Sequence, residues 1–107
     1  MNKILIPTNK GPRVVAEDNI IRIQASSNYC KIYFIDECPL VVAKVLHWFQ
    51  ENLPGQNFCR IHRGHIVNLR HVAEMESPVS MRLTNGEMLQ ISRRRKSQAS
   101  QRLKQIA

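Results

Sequence analysis

Ile20-Ile21-Arg22-Ile23-Gln24-Ala25-Ser26-Ser27-Asn28-Tyr29-Cys30-Lys31-Ile32-Tyr33-Phe34-Ile35 decides the fold class. Ile21, Ile23 and Ala25 alternate with Arg22 and Gln24, the period-two pattern of a half-buried strand. Ser26-Ser27-Asn28 interrupts it with side chains that bond their own backbone in turns. Tyr29 to Ile35 then alternates again and is rich in aromatic and β-branched types. The stretch predicts a strand, a short loop and a second strand.

Nearer the N-terminus, Lys3-Ile4-Leu5-Ile6 is a short apolar run stopped by Pro7. On the other side, Val42, Val45, Leu46, Phe49 and Leu53 fall at helical spacing between Pro39 and Pro54-Gly55. This predicts one helix that covers a sheet face, with Trp48 packed beside the stripe. Phe58 to His62 and Ile66 to Asn68 read as strands around the tight connection Arg63-Gly64-His65. Val79, Met81 and Leu83 alternate up to Asn85-Gly86, and Leu89 and Ile91 alternate after it. Asn-Gly between two such runs is a strong hairpin signal, because both residues tolerate positive φ. After Ser92, the stripe Ala99, Leu103 and Ile106 predicts a helical tail. The strands come in neighbouring antiparallel pairs and not as βαβ units, so the class is mainly β with minor α.

A length of 107 residues implies one domain over 1–107, and 43% hydrophobic with 22% charged residues suits a packed core. No apolar run approaches the roughly 18 residues needed to span a bilayer, and no signal-peptide layout opens the chain. A cytoplasmic location is expected. Three widely spaced cysteines, Cys30, Cys38 and Cys59, point to reduced thiols and not to a disulfide framework. Cys30 reads as a small core residue.

Charge is more informative. Sixteen Lys and Arg against eight Asp and Glu give +8, with a pI near 10.0, a balance that suits a polyanionic partner. The cations are unevenly placed. No acid stands between Glu51 and Glu74, where Arg60, Arg63 and Arg70 mix with His62, His65 and His71. After Glu87 acids vanish again, while Arg93, Arg94, Arg95, Lys96, Arg102 and Lys104 follow. Two acid-free blocks predict a positive face. Three consecutive arginines at a helix start oppose the macrodipole, a local cost that a bound anion would offset.

Catalytic and metal readings fare worse. Cys59, His62, His65 and His71 lie close in sequence, but alternation along a strand sets Cys59 and His62 on opposite faces. There is no Gly-rich phosphate loop, no Gly-x-Ser-x-Gly and no carboxylate pair among apolar residues. The chain is expected to be no enzyme and to need no cofactor or metal.

Three ordered blocks then carry a resemblance. Phe58-Cys59-Arg60-Ile61-His62-Arg63-Gly64-His65-Ile66-Val67-Asn68 resembles the signature of LytTR-type bacterial DNA-binding domains, Phe-x-Arg-x-His-Arg followed shortly by Val-Asn. Ile20 to Ala25 with the Asn28-Tyr29 turn is similar to that family's first strand–loop–strand. Leu83 to Arg94 is similar to its closing hairpin and Ser-Arg-Arg segment. The resemblance runs from about Lys10 to Ile106. It implies about ten short strands in small antiparallel sheets, one packed helix and a short C-terminal helix. It also implies a response-regulator output domain that reads successive major grooves of duplex DNA through loops.

Carried over by position, the resemblance puts base readers at Asn28, Tyr29, Arg63 and Arg94. Phosphate contacts fall to Lys31, Arg60, His62, the Gly64 backbone amide, His65, Arg93, Arg95 and Lys96. Chemistry supports the division, since Arg forks onto guanine O6 and N7 while phosphate contacts position without reading sequence. The expected partner is double-stranded DNA with repeated half-sites, bound by a domain that is monomeric when free. No membrane or small-molecule substrate is expected. The alternative is a basic RNA-binding β module, which would display aromatics for base stacking, and at least three of the six here look committed to core.

Overall fold

Strands and turns follow one another closely in the computed structural model, which describes residues 2–106. In chain order they are β1 (Lys3–Thr8), β2 (Gly11–Ala16), β3 (Ile20–Ser26), β4 (Tyr29–Phe34) and β5 (Leu40–Val42), then helix α1 (Leu46–Asn52). After it come β6 (Phe58–His62), β7 (His65–Asn68), β8 (Val72–Ser77), β9 (Ser80–Leu83), β10 (Met88–Gln90) and helix α2 (Lys96–Ile106). Short 3-10 turns occupy Glu17–Asn19, Leu69–His71 and Arg93–Arg95. All named pairings are antiparallel, in three sheets: β1-β2, β10-β9-β8 and the central β5-β4-β3-β7-β6. The mainly β fold with two helices is the one expected.

The central sheet is buried on both faces. One core joins Ile4, Ile6 and Val15 of the first hairpin to Ile20, Ile23, Ile32, Phe34 and Ile66 of the sheet and to Leu46 and Phe49 of α1. The other joins Ile21, Cys59, Ile61 and Val67 to Met81, Leu83 and Leu89 of the three-stranded sheet and to Ala99 of α2, with Leu103 and Ile106 packed against it. Cys30 and Phe58 are core residues, and Trp48 packs on the first core edge-to-face with Phe49.

Several sequence expectations are corrected by this arrangement. Ile21 and Ile23 do not share a face. The β3–β4 register shifts between Ile20 and Arg22, a bulge that turns Ile21 into the second core while Ile20 and Ile23 stay in the first. The helix is shorter than its stripe. Val42 is buried as a strand residue opposite Cys30, and Val45 is exposed just before α1. At the far end Leu53 is extended (φ −88°, ψ 149°), as the residue before a proline prefers. β1 continues through Pro7, which faces Pro12 in a two-stranded sheet, where a missing N–H disrupts no further strand. The Asn85-Gly86 turn spans four residues between β9 and β10, and only Gly86 has positive φ (92°).

Candidate nucleic-acid interface

The site grows from the end of the central sheet where β3 turns into β4 and β6 into β7. Gln24 stands opposite His65 in the β3–β7 pairing, and one step further the Ala25 N–H donates to the Gly64 carbonyl at 2.9 Å. That bond sets the Ser27-Asn28 turn beside Arg63-Gly64. The turn closes with only two residues between the Ser26–Tyr29 pair, and Ser27 takes a left-handed conformation (φ 56°) to do so. The Ser92 N–H donates to the Ile61 carbonyl at 2.8 Å, capping the β6 edge and starting the Arg93–Arg95 turn beside the end of β6. Three stretches distant in sequence are thus joined by two backbone bonds, and none of 26–29, 60–66 or 92–96 carries an acid.

Within this end the expected residues differ in availability. Asn28, Tyr29, His62, Arg63, Arg93, Arg94 and Lys96 are exposed, whereas Lys31, Arg60, His65 and Arg95 are half-buried. Among the described residues, none of Arg63, Arg93, Arg94 and Lys96 makes an ion pair. The arginines that pair with carboxylates are others: Arg82 bonds Glu74 and Glu76, Arg13 bonds Glu37, and Arg22 bonds Glu87. The arginine run forms a 3-10 turn ahead of α2 instead of its first α-helical turn.

Two residues expected at phosphates also hold the loop. Arg60 donates to Gln50 Oε1 of α1 at 3.0 Å, to the Arg63 carbonyl at 2.6 Å and to the His62 carbonyl at 3.4 Å. Burial and the nearby Arg95 push its pKa down. His62 accepts the Gly64 N–H at Nδ1, 3.1 Å away, which places the ring hydrogen on Nε2 as a donor. Arg63 is therefore fixed through its backbone while its side chain stays exposed.

His65 behaves differently. Its Nε2 lies 2.9 Å from Arg22 Nη1, and a guanidinium only donates, so the imidazole accepts. Burial, Arg22 and His62 hold its pKa down to about 4. The ring is neutral near pH 7 and brings no charge to a phosphate.

Sequence reasoning missed the group behind His65. Arg22 is 7% exposed, donates to Glu87 at 3.2 and 2.9 Å and to Gln24 Oε1 at 2.9 Å, and stacks 3.7 Å above the Tyr33 ring. Arg22 holds the Glu87 carboxyl below its ordinary range, and Asn85 Nδ2 donates to the same carboxylate at 2.7 Å. This network ties β3 and β4 to the loop before β10. The only sequence signal was a charged residue between two isoleucines. Asn68 is likewise buried, donating to the Ile20 carbonyl at 2.9 Å and accepting from the Arg70 N–H at 3.0 Å.

Among the described residues no three His, Cys, Asp or Glu gather as a metal site, and no helix is long and apolar enough to cross a membrane. Burial pushes the Cys59 thiol up, the opposite of what a nucleophilic thiol needs.

Comparison with known proteins adds two findings. The family model described as the LytTr DNA-binding domain matches residues 11–104. The solved LytTr DNA-binding domain of a methyl-accepting/DNA response regulator from Bacillus cereus superposes with a TM-score of 0.72 at 22% identity, covering 100% of this chain and 98% of that one. No curated protein matches the chain in sequence.

Proposed function

The chain belongs to the LytTr DNA-binding domain family, and from that premise we propose that it binds duplex DNA sequence-specifically as a transcription regulator, entering the major groove with loops. The observation that carries this reading is the convergence of the three acid-free loops, joined by the Ala25–Gly64 and Ser92–Ile61 bonds. Asn28, Tyr29, Arg63 and Arg94 are the proposed base readers. Lys31, His62, the Gly64 amide, Arg93, Arg95 and Lys96 are the proposed phosphate contacts, while Arg60 chiefly positions Arg63 through its carbonyl. His65 serves the site by orienting Arg22 and not by charge.

Aromatic placement favours DNA over single-stranded RNA. Phe34, Phe49 and Phe58 are buried, Trp48 packs on the core, and Tyr33 lies under Arg22. Tyr29 is exposed, and one ring makes a poor stacking platform. The domain is proposed to act as one unit in the cytoplasm, to be monomeric when free and to occupy repeated half-sites on DNA.

The test is a salt titration against a duplex selected from random sequences, with scrambled duplex and single-stranded RNA as competitors. Neutralising about six phosphates gives a log K against log salt slope near −5. A flat response, or equal affinity for the scrambled duplex, would show that the reading is wrong. Sedimentation of the free domain checks the monomer, with Leu5 and Val14 (60% and 61% exposed, facing each other across the first hairpin) as the pair to substitute if a dimer appears.

A further inference from the structure

A cavity of about 230 Å³ lies at the β6 edge of the central sheet, between α1 and α2. Arg60, Arg95 and Arg102 line it with Gln50 and Gln98, and Phe49 and Phe58 form part of its apolar wall. Among the described residues no carboxylate lines it. Three guanidiniums around one cavity repel one another, and with burial Arg95 pushes the Arg60 pKa down. The Arg102 guanidinium lies against the Cys59 thiol, and its buried Nη2 has no hydrogen-bond acceptor of its own. A buried charged donor without an acceptor is a strong departure from the usual satisfaction of such groups.

We propose that this cavity is a binding site for a small organic anion, a carboxylate carrying a compact apolar body. The guanidinium fork matches a carboxylate with two parallel bonds, and three such forks line this one cavity. The apolar wall selects for a ligand with a hydrophobic part. The volume is below the roughly 300 Å³ where pockets for drug-sized ligands begin, so the ligand is small. Arg60 couples the site to the loop, because the guanidinium that lines the cavity also holds the Arg63 carbonyl.

The experiment is thermal unfolding of the free protein, without DNA, in millimolar benzoate, acetate, inorganic phosphate or chloride at matched ionic strength. Benzoate is expected to raise Tm by about 5 °C at ten times its Kd, acetate less, and chloride not at all. The shift should vanish in Arg102→Gln and in Arg95→Gln. Gln98→Trp, on an exposed position of α2, fills the cavity without removing a charge and should abolish the shift as well. No benzoate shift beyond chloride overturns the proposal, as does an equal shift from phosphate or a shift that survives in all three variants. In a separate arm, Arg102→Gln should leave duplex affinity unchanged. If it weakens duplex binding as much as Arg93→Gln does, the cavity holds a DNA phosphate and the proposal fails.

Discussion

The Ala25 N–H donates to the Gly64 carbonyl at 2.9 Å, joining two turns that lie almost forty positions apart in the chain. One backbone bond thus converts a strand–loop–strand unit and an Arg/His-rich connection into neighbouring parts of one surface. The side chains at that surface should then divide into those that read bases and those that hold phosphates.

Arg63→Ala and Arg94→Ala are each expected to cost about 1–3 kcal/mol on the selected duplex and to relax preference at one base position. Lys96→Ala should weaken selected and scrambled duplexes alike and lower the salt slope by about one. Titration of each folded variant against both duplexes checks the division. Equal losses for Arg63→Ala on both would make Arg63 a holding residue.

Stability should fall with acid in two overlapping steps. His65 titrates at about 4 in the fold against 6.5 when free, and the pKa of Glu87 is lowered from 4.5. As pH drops the unfolded chain takes up protons first, so stability present above pH 6.5 is lost between there and about 4 through His65, and below 4.5 through Glu87. The His65 part amounts to about 2–3 kcal/mol. Thermal melts from pH 7 to 4 should show a flatter decline for His65→Gln, whose amide oxygen still accepts from Arg22. An unchanged pH profile would place the loss elsewhere.

Asn68→Ala is expected to destabilise by about 2–3 kcal/mol, measured by urea unfolding, because the buried Ile20 carbonyl and the part-buried Arg70 N–H lose their partner. Duplex preference of the folded fraction should stay the same, since Asn68 is fully buried.

Gly86→Ala should cost about 1 kcal/mol through backbone alone, since Gly86 sits at φ 92° with nothing within 4 Å of an added methyl. Gly55→Ala meets equally open space without positive φ and should be neutral or stabilising by about 0.4–1 kcal/mol. Similar losses for both would show that φ is not the cause.

The fold class, most strands, the tail helix and the positive blocks are all legible in the amino-acid order. Period-two alternation in β4, β6 and β9, turn residues at Ser27-Asn28 and Asn85-Gly86, and the absence of acids are local facts that neighbouring residues impose on one another. β2, β5 and β8 escaped because Gly11–Ala16, Leu40–Val42 and Val72–Ser77 are short or weakly patterned, and become strands only through partners elsewhere. The Ile20/Arg22 bulge, which sends Ile21 and Ile23 to different cores, is likewise a property of pairing and not of the segment. Which cations are free depends on long-range folding. Arg22, Arg60 and Arg63 are the same residue type. Yet a carboxylate sixty-five positions away satisfies Arg22, two carbonyls of one loop and Gln50 of α1 hold Arg60, and only Arg63 is left with its guanidinium exposed. Charge is written in the sequence, but its availability depends on desolvation and on partners that the folded chain brings within hydrogen-bond reach.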